Sequence, residues 1–155
     1  AGVELGARPG AHLRNLRGGD ARLLAQSQVV CVLCPGTAVN LRMAAEGSAR
    51  TLSGAGARLA IASDFNPGTS ASENMCLTIG LACLELGLTP EEALAGATIG
   101  GARALRVHRR CGSIRLGKRC DLALLDADSY LEIPYRLGVN LVSATVCNGR
   151  LAYSA

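Results

Sequence analysis

Two short apolar runs constrain this chain more than anything else in it. Residues 28–34 (QVVCVLC) and 58–63 (RLAIAS) are β-favouring and almost uncharged. Runs of that kind fit strands buried on both faces, as in a parallel sheet. Each ends in backbone breakers, Pro35-Gly36 after the first and Asp64-Phe65-Asn66-Pro67-Gly68-Thr69 after the second. Helical segments alternate with them. Asp20 is placed to cap a short helix over 21–26, and 38–55 is helix-compatible with an interruption at Gly47. Ser70-x-x-Glu73 has the form of a capping box, followed by Cys76, Ile79, Cys83 and Leu86 at helical spacing and by Gly87 as a stop. Thr89-Pro90-Glu91-Glu92 opens the next helix with a second box, ending near Ala95, and a further helix is expected over 98–107.

The character changes near Cys111. Residues 112–118 are turn-rich, Leu122-Ala123-Leu124-Leu125 reads as a strand, and Asn148-Gly149 inside 141–153 signals a hairpin. The expected class is α/β through residue 110 and mostly β beyond it. The expected division is therefore 1–110 and 111–155.

Composition sharpens this. Of the 155 residues, 49% are hydrophobic and 18% charged, against a typical charged share of ~25%. Disorder is excluded, because the apolar surface is ample to offset ordering entropy. The shortage of charge implies a face buried against something outside this chain. Net charge is +4, with basic residues densest from Arg103 to Arg119. Aromatic residues are scarce (Phe65, Tyr130, Tyr135, Tyr153), so the stacking platforms of single-strand nucleic-acid binding are missing. Residues 23–41 are too polar to span a membrane. Seven cysteines, an odd number with no secretory signal, read as reduced thiols in a cytoplasmic protein. Cys31 and Cys34 have CxxC spacing, but no second pair exists for a zinc site. They sit in a strand-like run rather than opening a helix, so the expected role is that of small core hydrophobes.

Chemistry concentrates at two residues. Asp64 closes a buried strand and opens a polar loop, and active sites of parallel α/β barrels form at the C-terminal strand ends. A carboxylate there can bind a metal and take a proton from water beside it; a simple turn-capping role is the alternative. His12 stands where a short strand could end. The other histidine, His108, reads as part of a solvated helix end. One histidine and one aspartate fall short of the three protein ligands usual for catalytic zinc.

These residues fall in a longer pattern. Ala62-Ser63-Asp64-Phe65-Asn66-Pro67-Gly68-Thr69-Ser70 resembles the last-strand motif of the imidazolonepropionase family of the amidohydrolase superfamily. The segments 86–98, 135–140, 4–7 with His12-Leu13, and Leu33-Cys34-Pro35-Gly36-Thr37 are similar to the same family, and Gly117-Lys118 with Asp121-Leu122 resembles the superfamily's return into its small β domain. The resemblance covers nearly the whole chain. It implies the C-terminal part of a (β/α)8 TIM-like barrel, strands six to eight, leading into strands of a small β-sandwich domain. It implies a metal-dependent hydrolase that opens 4-imidazolone-5-propanoate to N-formimidoyl-L-glutamate in histidine degradation, with a zinc or iron cofactor. Asp64 would be a metal ligand and proton acceptor, His12 a catalytic histidine, and Asn66, Gly68 and Thr69 substrate-binding positions. The family's His-x-His ligands would lie in an N-terminal barrel portion outside this sequence, and the family would form a homodimer. This chain alone is then expected to hold metal loosely. Gly100 and Gly101 are expected to loosen their helix. Such departures keep open a second reading, a non-catalytic amidohydrolase-like module that serves as an interaction partner.

Overall fold

The computed structural model describes residues 2–43 and 48–155, so the expected interruption at Gly47 lies outside the described residues. Strands β1 (Pro9–Ala11), β2 (Val30–Leu33) and β3 (Arg58–Ile61) form a parallel sheet in that spatial order. Gly10 lies opposite Cys31, and Cys31 opposite Leu59. The middle strand is the 28–34 run. Its Val30, Cys31 and Leu33 are buried, as a run apolar at successive positions requires of a strand covered on both faces. Helix α1 (Asp20–Gln26) connects the first pair; α2 (Pro35–Asn40) and α3 (Ser48–Gly54) connect the second. Chain order equals spatial order, with no reversal of the kind that marks a doubly wound sheet. Cys31, Leu33, Leu52, Ile61, Ile79 and Leu86 belong to one core cluster.

Two expected helix starts are corrected. Gly19, at φ 92, is the cap of α1, and Asp20 is its first residue. The Asp20 carboxylate instead accepts from the Arg17 N–H at 2.7 Å. After β3, helix α4 (Met75–Leu86) is capped by Asn74, whose Oδ1 accepts from the Leu77 N–H at 3.1 Å. Ser70 lies four residues before that cap, in the loop that follows β3, where its hydroxyl donates to the Ser63 carbonyl at 2.6 Å. Gly87 ends α4 in the left-handed region, as expected.

Helix α5 (Pro90–Ala95) carries the reciprocal Thr89–Glu92 capping box foreseen in the sequence. It does not break near residue 96. One π turn (Gly96–Gly100) carries it into α6 (Gly101–Ala104). A Cβ on Gly100 would lie 2.2 Å from the Leu59 carbonyl oxygen, so Gly100 lets the helix rest on the β3 backbone. At Gly101 nothing lies nearer than 3.9 Å, so packing gives no reason for a glycine there.

A second, antiparallel sheet has the order β4 (Leu122–Leu125), β5 (Val142–Cys147), β6 (Arg150–Ser154). Asn148 and Gly149, at φ 51 and 76, form the hairpin turn between β5 and β6. Asp121 accepts from the Asn148 N–H at 2.8 Å, and the Lys118 ammonium donates to the His108 carbonyl and to Ser113 Oγ. The Gly-Lys-x-x-Asp stretch is thus a structural tie. Between β4 and β5, helix α7 (Glu132–Tyr135) packs on α4 and buries Ile133. Leu5, Leu105, Ile114, Leu116 and Tyr135 stand exposed, in keeping with the apolar excess of the composition. No described helix is long and apolar enough to cross a membrane.

Two predictions follow from this packing. Gly100→Ala should destabilise the fold by roughly 1–3 kcal/mol through overpacking, whereas Gly101→Ala should be neutral or stabilising by up to ~1 kcal/mol; thermal denaturation of the pair separates them. The second concerns Glu92, which takes hydrogen bonds from Ser53 Oγ and the Thr89 N–H and pairs with Arg50 at 2.7 Å, tying α5 to α3. These contacts, Ser53 foremost, hold its carboxyl below the usual glutamate range. A carboxyl lowered by folding stabilises above its unfolded pKa, and that contribution fades as pH falls through the folded value. Glu92→Gln should therefore lower Tm at pH 7, and the difference should shrink as pH falls below the ordinary glutamate range.

Candidate active site

The parallel register brings the C-terminal ends of β1, β2 and β3 side by side, and each delivers one polar residue. His12 follows β1 directly, and its N–H donates to the Val32 carbonyl at 2.9 Å, extending the ladder by one residue. Cys34 follows β2 and caps α2. Past β3 the Ala62 N–H donates to the Leu33 carbonyl at 3.0 Å, and the chain then turns at Asp64. Three residues at these ends are left-handed: His12 at φ 65, Leu13 at φ 49 and Asp64 at φ 52. That conformation costs an L-residue about 1–2 kcal/mol and is least unfavourable for Asn, Asp and His. Strain of this kind persists where surrounding bonds over-determine the backbone, commonly at reactive sites.

The side chains converge. His12 Nε2 lies 3.8 Å from Asp64 Oδ2, with the two side chains 44% and 34% exposed, so both are open to a ligand. The Thr37 hydroxyl, reaching from α2, donates to Asp64 Oδ2 at 2.7 Å and orients the carboxylate. One donor atom each from His12, Cys34 and Asp64 lies within 4.8 Å of the others. A nitrogen, a sulfur and an oxygen so grouped suit a divalent metal ion.

The loop after Asp64 is organised by Asn66. Its Oδ1 accepts from the Gly68 and Thr69 N–H groups at 2.9 and 2.8 Å, and its Nδ2 donates to the Asp64 carbonyl at 2.6 Å and to Thr69 Oγ1 at 2.9 Å. Asn66, Gly68 and Thr69 thus form one hydrogen-bonded rim that fixes the Asp64 backbone.

Sequence reasoning placed His12 and Asp64, and the structure brings them together. It missed Thr37, which stood in the family-like 33–37 segment with no role of its own and whose bond to Asp64 spans 27 positions. Cys34 was grouped with Cys31 as a core hydrophobe; it is half-buried at the strand end, beside His12 and Asp64. Cys31 is fully buried in β2, and burial pushes its thiol pKa up to about 11. Cys34, at the strand end, faces His12 and Asp64. The signal available in the sequence was its position, the last residue before Pro35-Gly36, equivalent to that of Asp64 after its own run. His108 is exposed, as expected. A cavity of about 820 Å³ lies between α5 and the 108–118 loop, and none of the strand-end residues lines it.

The model of the amidohydrolase family matches residues 2–152. Among curated relatives, the imidazolonepropionase of Geobacillus sp. (strain WCH70) is 40% identical, with 97% of this chain and 36% of the relative covered. That of Mycolicibacterium smegmatis is 42% identical, with 97% and 38% covered. The chain spans just over a third of the length of the curated relatives it matches. Among solved structures, a zinc-bound adenosine deaminase from Xanthomonas campestris superposes with a TM-score of 0.87 at 24% identity, covering 97% of this chain and 39% of that one. The guanine deaminase of E. coli gives 0.81 at 21% identity, covering 98% and 41%. These likenesses concern the fold alone. The chain belongs to the amidohydrolase family.

Proposed function

We propose that this chain is the C-terminal part of a metal-dependent hydrolase that opens a cyclic amide, 4-imidazolone-5-propanoate, to N-formimidoyl-L-glutamate. The observation that carries the reading is the pairing of His12 and Asp64, 3.8 Å apart at adjacent strand ends, in a chain 40% identical to an imidazolonepropionase. β1, β2 and β3 then correspond to barrel strands six to eight. Residues 1–110 are barrel and 111–155 a segment of a small β domain, a division supported by the two separate sheets. The remaining barrel strands and a His-x-His ligand pair belong to an N-terminal portion, and the assembled protein acts in the cytoplasm as a homodimer.

Zinc or iron is the metal, with Asp64 as one ligand. When bound, a divalent ion supplies Lewis acidity toward a carbonyl and lowers the pKa of adjacent water. The chain's own residues do the rest. Asp64, oriented by Thr37, takes the proton of the attacking water at its carboxylate and returns it to the departing ring nitrogen. His12 Nε2 faces the same space and stabilises the oxygen on which charge develops. The Asn66–Gly68–Thr69 rim holds Asp64 in place and borders the substrate.

The test is complementation. The chain is mixed with the N-terminal two thirds of the Geobacillus relative, and ring opening is followed by loss of imidazolone absorbance. Activity should appear only in the mixture. Asp64→Asn and His12→Asn, each able to keep the left-handed backbone, should lower it by about 10²–10⁴-fold. Activity within tenfold of the parent in Asp64→Asn, or none in any mixture, would overturn the reading; the latter result favours the non-catalytic module.

A further inference from the structure

The cavity between α5 and the 108–118 loop takes no part in the proposed hydrolysis. Four cationic side chains line it, Arg103 from α6 and Arg109, Arg115 and Lys118 from the loop. Glu91 is the one carboxylate among its lining residues, and it accepts from the Tyr130 hydroxyl at 2.6 Å. Lys118 is engaged within the loop. Its ammonium donates to the Cys111 carbonyl at 3.3 Å, to Ser113 Oγ at 2.7 Å and to the His108 carbonyl. Among the described residues, no hydrogen bond or ion pair takes up the Arg103, Arg109 or Arg115 guanidinium. Neighbouring Arg119 differs, since it pairs with Asp121 and does not line the cavity.

Like charges gathered without a counter-charge repel, so other forces must hold these arginines around one space. Both walls are fixed. Lys118 draws residues 108, 111 and 113 together from inside the loop. Gly112, at φ 85, sets the loop directly on the rod. A Cβ there would lie 2.5 Å from the Ala102 Cβ and 3.1 Å from the Thr98 carbonyl oxygen. The rod that carries Arg103 is itself seated on β3 through Gly100. The cationic walls are therefore in place before any anion arrives, which lowers the ordering cost of binding one.

We propose that this cavity binds a small organic phosphate, its anionic groups on Arg103, Arg109 and Arg115 and its apolar body against Leu94 and Ile99. A concave surface lined by one sign of charge focuses its field and concentrates counter-ions. Guanidinium forks match the paired oxygens of a phosphate and hold them bidentately. Three of them on two walls suit a ligand with several negative charges; a single carboxylate would leave cations unopposed. Leu94, Ala95 and Ile99 add apolar surface to the lining, which a bare inorganic ion would leave wet and an organic body would cover. The volume of about 820 Å³ falls within the ~300–1,000 Å³ of small-ligand sites.

Adenosine triphosphate is the probe, with tripolyphosphate as charge alone and adenosine as body alone. Each is titrated by calorimetry into the 155-residue chain in metal-free buffer at about 0.15 M salt. One equivalent of the nucleotide should bind, about tenfold tighter than either control. Arg103→Gln, Arg109→Gln and Arg115→Gln should each weaken it about five- to tenfold. Arg150→Gln removes the same charge outside the cavity and should leave binding within about twofold. All four arginines are exposed, so each variant should keep the parent's melting temperature. A second measurement needs no variant. Phenylglyoxal modification, read by peptide mass spectrometry, should slow about fivefold at Arg103, Arg109 and Arg115 with the nucleotide present, and not at Arg150. Equal weakening by Arg150→Gln, tripolyphosphate binding as tightly as the nucleotide, or modification at one rate with and without it overturns the site. So does loss of binding when the N-terminal two thirds of the Geobacillus relative is added, which would make the cavity a seat for that portion.

Discussion

Everything at the candidate site depends on the parallel register of three short strands. Hydrogen bonding between β1, β2 and β3 fixes where each one stops, and the ladder runs past the strands through His12 to Val32 and Ala62 to Leu33. A shift by one residue would turn every side chain to the opposite face. It would also move one strand end past the next and draw His12 away from Asp64. The apolar contacts of Cys31, Leu33 and Ile61 in the core are therefore also what holds the polar residues at the strand ends together. Packing energy and site geometry have the same source.

The helices act on the site through that sheet. The α5–π–α6 rod lies against β3 because Gly96 and Gly100 bring it to contact with Ile61 and the Leu59 carbonyl. Residues Leu59 and Ile61 lie only a few positions before Asp64. On the other side, α2 begins at the end of β2 and turns the Thr37 hydroxyl onto the Asp64 carboxylate. Asp64 is thus held from three directions: its strand, the neighbouring helix and the Asn66 loop.

What could be read in the sequence was whatever local chemistry determines. The runs at 28–34 and 58–63 became β2 and β3, the Thr89–Glu92 box capped a helix, and Asn148-Gly149 turned a hairpin. Asp64 was legible because a carboxylate after a buried run can be recognised without a partner. The misreadings arose where a distant group competes. Ser70 satisfies the spacing of a capping box, but the helix begins only after Asn74, and Ser70 is held in the loop behind β3 by the Ser63 carbonyl. Gly100 looks like a helix defect until the β3 backbone is placed beneath it. Thr37 gains its meaning only from Asp64, 27 positions away in sequence, which no local spacing records.

The left-handed backbone at His12 and Asp64 bears on how this sequence can vary. Two independent filters act on the same two codons. One is chemical, the demand for an imidazole and a carboxylate. The other is steric, since β-branched residues are strongly disfavoured at positive φ whatever their chemistry. Substitution at these positions is channelled toward glycine and asparagine, which keep the loop shape while discarding the reactive group. Lineages in which selection on chemistry relaxes would keep an intact scaffold, and loss of function there would leave little trace in the fold.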